Sequence, residues 1–278
     1  MQHKSDRYPG KFTTTLSDEY RAQSVNIVDG SLFEVDPTGK SSDPTDVANV
    51  KRRLGAEYKI IMVHGTMYDP EGDGLNNPHL TIYEVLRNAF APFESISGIG
   101  WPSVSFTPGN LFEAWFKGHL TWYGLAVRNA RLVSPPLSRL LSSLDGPYAI
   151  VCHSIGCDIA RHAVSSAQRQ PARILLINPD TDYAAFQEWS IAHGIPTLHV
   201  AAKRDSVLRF SQYARKNSKF QVAPRQDFYS METINFDQFL PDGQRDSFSY
   251  GNPRRLWDHM ASLEVPELWL RYREFLKF

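Results

Sequence analysis

The sequence predicts an α/β fold, a mostly parallel central sheet flanked by helices, on three observations. From Tyr58 onward, short apolar runs of β character alternate with longer helical ones, the pattern of parallel strands joined by crossover helices. These β runs are apolar throughout, as expected of strands covered on both faces. Ahead of them, Asp29-Gly30 separates two β-like runs, a strong hairpin signal because both central residues of a type I′ turn need positive φ.

Residues 1–56 read as a β-rich extension holding that hairpin. Residues 12–16, 25–28 and 32–35 are β-like, and 36–46, rich in Pro, Ser, Thr, Gly and Asp, is a loop. Strands are then expected over 58–64, 95–101, 148–153, 172–178 and 196–202, with a last β-like run at 227–234. Helices are expected over 80–91, 122–144, 155–168, 183–193 and 267–276, and a short one over 256–263 before Pro266. Within 155–168, Ile159, Ala163 and Ala167 form a stripe of small apolar side chains suited to lying close to a sheet. The segment 103–121 carries Phe106, Phe112, Trp115 and Phe116 among Gly and Pro without a period. It reads either as a small aromatic-rich lid or as a loop whose rings fill a core gap. No repeat or linker interrupts the chain, so 1–278 is read as a single domain.

With 42% hydrophobic residues in 278, the chain can bury a sizeable core and still line a pocket. Thirty basic residues balance thirty acidic ones, which argues against nucleic acid or anionic lipid as the partner and favours a small molecule. Lys51-Arg52-Arg53 and Arg254-Arg255 read as solvated surface. Cys152 and Cys157 lie too close together in one strand-to-helix segment for a secreted cross-linking framework and read as small buried thiols. No signal-like run opens the sequence and no stretch has membrane-span length, so a cytoplasmic protein is expected. Asp69-Pro70-Glu71-Gly72-Asp73-Gly74 looks like the start of a calcium loop, but Leu80 stands where the bidentate Glu would be, so it reads as a turn. No metal-ligand spacing or phosphate-cradling glycine loop occurs, and no cofactor or metal is expected.

The most informative stretch is Tyr148-Ala149-Ile150-Val151-Cys152-His153-Ser154-Ile155-Gly156-Cys157, a β run passing directly into a helix with a serine at the junction. Small residues, Cys152 and Gly156, stand two positions to either side. A strand-turn-helix elbow holds its serine in a strained backbone conformation where bulky neighbours would collide, and an exposed Oγ is the expected result. The plain alternative is a serine capping a helix.

From about Tyr58 to the C-terminus the chain resembles the α/β-hydrolase superfamily, and within it bacterial serine esterase or lipase-like members. The resemblance is carried by Val63-His64-Gly65, Trp101-Pro102-Ser103, His153-Ser154-Ile155-Gly156, Ala202-Lys203-Arg204-Asp205 and Trp257-Asp258-His259-Met260. Cys152 departs from the stricter G-x-S-x-G pattern, and Thr66-Met67 stands where lipases often carry more glycine. The resemblance implies a Ser154 nucleophile and an oxyanion hole built from the backbone N–H of Ile155 and one from the loop after His64-Gly65, expected at Thr66 with Met67 as the alternative.

That fold orders its triad Ser, then Asp or Glu, then His. Of the histidines after the nucleophile, His162 lies on the packed helix, His193 ends a helix and His199 is mid-strand. His259, past the last β-like run, is left as general base. Asp205, just after the 196–202 strand, is the expected orienting acid, with Asp180 and Asp182 as rivals; Asp258 adjoins His259 and would point elsewhere. Two functions follow: a carboxylic-ester hydrolase working through an acyl-enzyme, on a small ester with an apolar acyl or aryl group, or a ligand-binding protein that keeps the fold without turnover. Thioesters and amides would use the same machinery.

Overall fold

The structure is a computed structural model that describes residues 15–55, 57–90, 93, 95–103, 122–201, 205, 207, 208, 211, 232–235, 259, 262, 263 and 265–277. Nine strands form one sheet: β1 (Val25–Val28), β2 (Ser31–Val35), β3 (Ser41–Thr45), β4 (Lys59–Val63), β5 (Ile96–Gly100), β6 (Tyr148–His153), β7 (Arg173–Ile177), β8 (Thr197–Ala201) and β9 (Glu232–Asn235), in the order β3-β2-β1-β5-β4-β6-β7-β8-β9. The hairpin turn is at Asp29 and Gly30, at φ 48° and 78°, with β1 and β2 antiparallel around it. β3 pairs antiparallel with β2, and every pairing from β1 through β5, β4, β6, β7 and β8 to β9 is parallel.

Seven described helices accompany the sheet: α1 (Asp18–Gln23), α2 (Val47–Leu54), α3 (Ile82–Ala89), α4 (Trp122–Ser143), α5 (Gly156–Ser166), α6 (Tyr183–Ala192) and α7 (Pro266–Leu276). Alternate strand residues feed two cores. Ile61, Val63, Ile150, Cys152, Ile174 and Leu176 pack with α4, α5 and α6 on one face. Ile60, Met62, Ala149, Val151, Leu175, Leu198 and Val200 pack with α3 and α7 on the other. This double burial is why the strands read as continuous apolar runs.

The extension departs from its sequence reading. Residues 12–14 lie outside the described residues, but the chain after them is helical: Ser17 caps α1 by accepting the N–H of Tyr20. The stretch taken as a loop contains β3, and Asp46 caps α2 through the N–H of Asn49 at 2.8 Å. The expected lid lies outside the described residues from 104 to 121, as does most of the short helix expected at 256–263. Both cysteines are free and buried, and 69–74 is a turn in which Asp69 accepts the N–H of Glu71. No helix among the described residues is long and apolar enough to cross a membrane.

A buried polar chain fastens the extension to the connection between β4 and α3. The Tyr20 hydroxyl lies 3.0 Å from Nδ1 of His79, and Nε2 of His79 lies 2.8 Å from Oδ1 of Asn26 in β1. The Asn26 oxygen can only accept, so His79 donates from Nε2 and accepts from the tyrosine. Burial holds His79 neutral, its pKa lowered to about 3, and does the same to His64 and to His199.

Because these rings are neutral when folded and take up a proton near pH 6.5 when unfolded, their contribution is complete above that pH and is lost as pH falls toward 3. Urea midpoints measured from about pH 7.5 down to about pH 4.5 should therefore fall steadily. His199 adds a sharper expectation, since both its ring nitrogens, beside Tyr183, are buried with no partner among the described residues. His199→Leu should be neutral or stabilising near pH 7.5 and stabilising by about 1 kcal/mol or more near pH 5. Equal effects at the two pH values would count against this account.

Candidate active site

The chain passes from β4 to β5 on one side and then crosses to β6 on the other. That reversal makes a topological switch point at the carboxyl ends of β4 and β6, the place where open α/β sheets bind ligands. Ser154 follows β6 directly and has φ 55°, a left-handed conformation that a serine adopts only when its surroundings impose it. Its N–H donates to the Ile177 carbonyl at 3.1 Å, and its own carbonyl accepts from Cys157 at 3.0 Å and Asp180 at 2.9 Å. The strand, the next strand and the helix thus all grip the bend.

Two glycines let the neighbouring loop close on it. A Cβ on Gly65 would stand 2.6 Å from the Cβ of Ser154, and one on Gly156 would stand 2.6 Å from the carbonyl oxygen of Val63 and closer still to that of His64. The residue after β4 and the first residue of α5 are therefore interlocked backbone to backbone. Contrary to the expected exposed hydroxyl, Ser154 is only 2% exposed. The interlocked loop and the strand ends recess the bend instead of presenting it at a tip.

His64, read from the sequence only as the end of a strand, has a definite part here. Its Nε2 accepts the backbone N–H of Trp101 at 3.1 Å, so its Nδ1 carries the proton and donates to the Gly65 carbonyl at 2.7 Å. The ring stacks on Trp101, whose indole N–H donates to the His64 carbonyl at 3.0 Å. With the Gly65 carbonyl held toward the imidazole, the trans peptide turns the Thr66 N–H the other way. Among the described residues no acceptor meets the N–H of Thr66, Met67 or Ile155. Met67 has φ 74°.

His259 and Asp205 are 4% and 2% exposed, and Nδ1 of the ring lies 2.6 Å from Oδ2 of the carboxylate. The other carboxylate oxygen accepts the N–H groups of Val207 at 2.9 Å and Leu208 at 3.0 Å, which fixes its plane. With Nδ1–H committed to Asp205, Nε2 is an acceptor, and it is buried with no partner among the described residues. No hydrogen bond joins Ser154 Oγ to this nitrogen among the described residues; the rings of His153 and His259 are 4.8 Å apart, which packs the imidazole on the residue that precedes Ser154. Such bonds are often loose without substrate and tighten in the complex.

Asp180, the rival acid, faces elsewhere: its carboxylate accepts from the Tyr123 and Ser211 hydroxyls, each at 2.5 Å. Asp182 caps α6. His162 and His193 lie on exposed helix surface, and Asp258 is outside the described residues. Sequence reasoning missed His153 and Asn178, whose side chains both reach the His259 carbonyl. Such contacts leave no local pattern to find.

A mostly parallel sheet whose central strand turns through a positive-φ serine into a helix, with an acid after β8 and a histidine later still, is an α/β-hydrolase fold. No protein-family model and no curated protein sequence matches the chain. Among solved structures, it is similar to a protein of Xanthomonas campestris pv. campestris described as a hydrolase of the alpha/beta superfamily, at 14% identity over 78% of this chain and 98% of the other, with a TM-score of 0.36. It is also similar to MenH of S. aureus, at 10% identity over 80% and 96% of the two chains and a TM-score of 0.33. An esterase of the bacterial hormone-sensitive lipase family gives 11% identity over 85% and 94%, with a TM-score of 0.33. Likenesses this low carry no argument, and the fold rests on the topology and the elbow.

The interlock makes a prediction of its own. Gly156→Ala should lower the unfolding free energy in urea by about 1–3 kcal/mol, because the added methyl meets carbonyl oxygens that cannot move aside. An unchanged midpoint would show that the helix start can give way.

Proposed function

We propose that the chain is a serine hydrolase that cleaves a carboxylic ester through an acyl-enzyme. Ser154 attacks the ester carbonyl, His259 takes its proton at Nε2 and returns it to the leaving alcohol, and Asp205 holds the ring in the Nδ1–H tautomer and stabilises the imidazolium. Water then releases the acyl group by the same path. The N–H of Ile155, with that of Thr66 or Met67, receives the oxyanion. The start of α5 beside it adds the positive end of a helix dipole.

The observation that carries this reading is the buried Nε2 of His259, which has no partner among the described residues. A ring fixed on a carboxylate at 2.6 Å through one nitrogen, with the other buried and idle among the described residues, and packed on the ring of the residue that precedes a strained serine, is costly as mere packing. As a general base it has the atom it needs. The recessed site favours a small ester with an apolar acyl or aryl group, and the zero net charge fits an uncharged substrate.

A fluorophosphonate probe should label the wild-type protein and not Ser154→Ala, and hydrolysis of p-nitrophenyl butyrate should fall by on the order of 10⁴ or more in that variant. Asp205→Asn should cost about 10⁴ in kcat, through the wrong tautomer. Labelling that survives Ser154→Ala would reject the nucleophile. An unreactive wild-type protein would favour a ligand-binding role, consistent with the absence of a direct bond between Ser154 and His259.

A further inference from the structure

His259 lies between β9 and α7, on no strand of the sheet, yet its main-chain carbonyl is buried and doubly held. Nδ2 of Asn178 donates to it at 2.6 Å and Nε2 of His153 at 3.2 Å. A carbonyl oxygen has two lone pairs, and both are used. The two donors come from the same rigid frame as the nucleophile. His153 is the last residue of β6, immediately before Ser154. Asn178 follows β7 at φ 43°, where asparagine is tolerated, and its own N–H donates to Val200 in β8 at 2.8 Å. Asn178 also donates to the Ser262 hydroxyl at 2.8 Å, so a second point of the His259 segment is tied to the same strand end.

The arrangement holds more than packing requires. His153 spends its single N–H on this carbonyl and leaves its Nδ1 buried with no partner among the described residues, and Asn178 leaves its amide oxygen in the same state. Both groups thus forgo a hydrogen bond while pointing their donors at one oxygen. The His153 ring also faces the His259 ring at 4.8 Å and 49°. Burial keeps it neutral, so no positive charge opposes an imidazolium forming beside it.

We propose that Asn178 and His153 are positioning residues: by clamping the main-chain carbonyl of His259 between the ends of β6 and β7, they set the imidazole in register with Ser154 on one side and Asp205 on the other. The proposal rests on the assignment of Ser154, Asp205 and His259 made above. A reactive ring misplaced by about 1 Å can cost roughly 10²-fold in rate, so a clamp on its backbone acts on kcat and leaves substrate affinity nearly alone.

Four variants test it. Asn178→Gly keeps the left-handed backbone and removes one donor, while Asn178→Asp replaces that donor by a carboxylate facing the carbonyl. His153→Phe keeps a ring and removes the other donor, and His153→Gln can place an amide N–H near the position of Nε2. With p-nitrophenyl butyrate, kcat should fall roughly 10- to 10²-fold in Asn178→Gly, Asn178→Asp and His153→Phe with little change in KM, and His153→Gln should recover most of it. Proton NMR supplies the reading that a purely structural role would not move. The short Nδ1–H···Asp205 bond should give a far-downfield resonance in the wild type, assigned by its loss in Asp205→Asn, and that signal should broaden or vanish in the three impaired variants. Folded variants that keep both kcat and the resonance overturn the clamp. So does a loss of kcat with an unchanged resonance and no recovery in His153→Gln. Should His153→Phe fail to fold, the two Asn178 variants decide alone. If the wild type turns over no ester, the hydrolase reading fails by itself, and the resonance still decides whether the clamp orders the ring.

Discussion

A serine backbone bent to φ 55° where a central parallel strand meets a helix is the constraint around which the rest of the site is arranged. An L residue held there is strained, by about 1–3 kcal/mol in general, and persists only if its neighbours over-determine it. Here they do so through hydrogen bonds from β7, from the loop after it and from α5, and through a loop that can approach only because residues 65 and 156 carry no side chain. The same close approach brings Gly65, just ahead of the amides proposed to receive the oxyanion, against Ser154. The strain and the proposed anion-binding geometry therefore have one cause.

The polar groups around the bend are organised by depth. His64, His79, His153 and His199 are buried and neutral, and the first three serve as fixed hydrogen-bonding wedges: His64 orients a peptide, His79 ties the connection between β4 and α3 to the extension, and His153 holds another histidine's backbone. Asp180, also buried, is satisfied by two hydroxyls and ties the start of α4 to Ser211. His259 differs from all of these in having a carboxylate on one nitrogen and, among the described residues, no partner on the other.

What could be read from the sequence follows from how each element is stabilised. β4 to β8 fall within their apolar runs because burial on both faces makes most of their positions apolar. The hairpin was legible because Asp29-Gly30 is dictated by backbone sterics. α1 escaped notice because six residues with only Tyr20 buried have no period, although the Ser17 cap was present. α2 was hidden by Lys51-Arg52-Arg53, of which only Arg52 is exposed, while Lys51 and Arg53 are half-buried and pair with Asp145 and Glu34; its buried residues are Val50 and Leu54. In the site, small residues around Ser154 and the order of acid and histidine were visible because they are properties of chain order. The parts of His153 and Asn178 depend on contacts across 106 and 81 positions, which no local spacing encodes.

The outermost strand of the extension has a consequence for association. β3 is mostly solvent-facing and carries Pro44, which has no N–H to offer, opposite Phe33. An open row of peptide groups invites a foreign strand to stack alongside, and proline with short polar neighbours is a recurrent deterrent. The antiparallel pair added beyond β1 thus moves the sheet's border from an apolar, aggregation-prone strand to one that templates poorly, leaving the buried parallel strands without a free flank on that side.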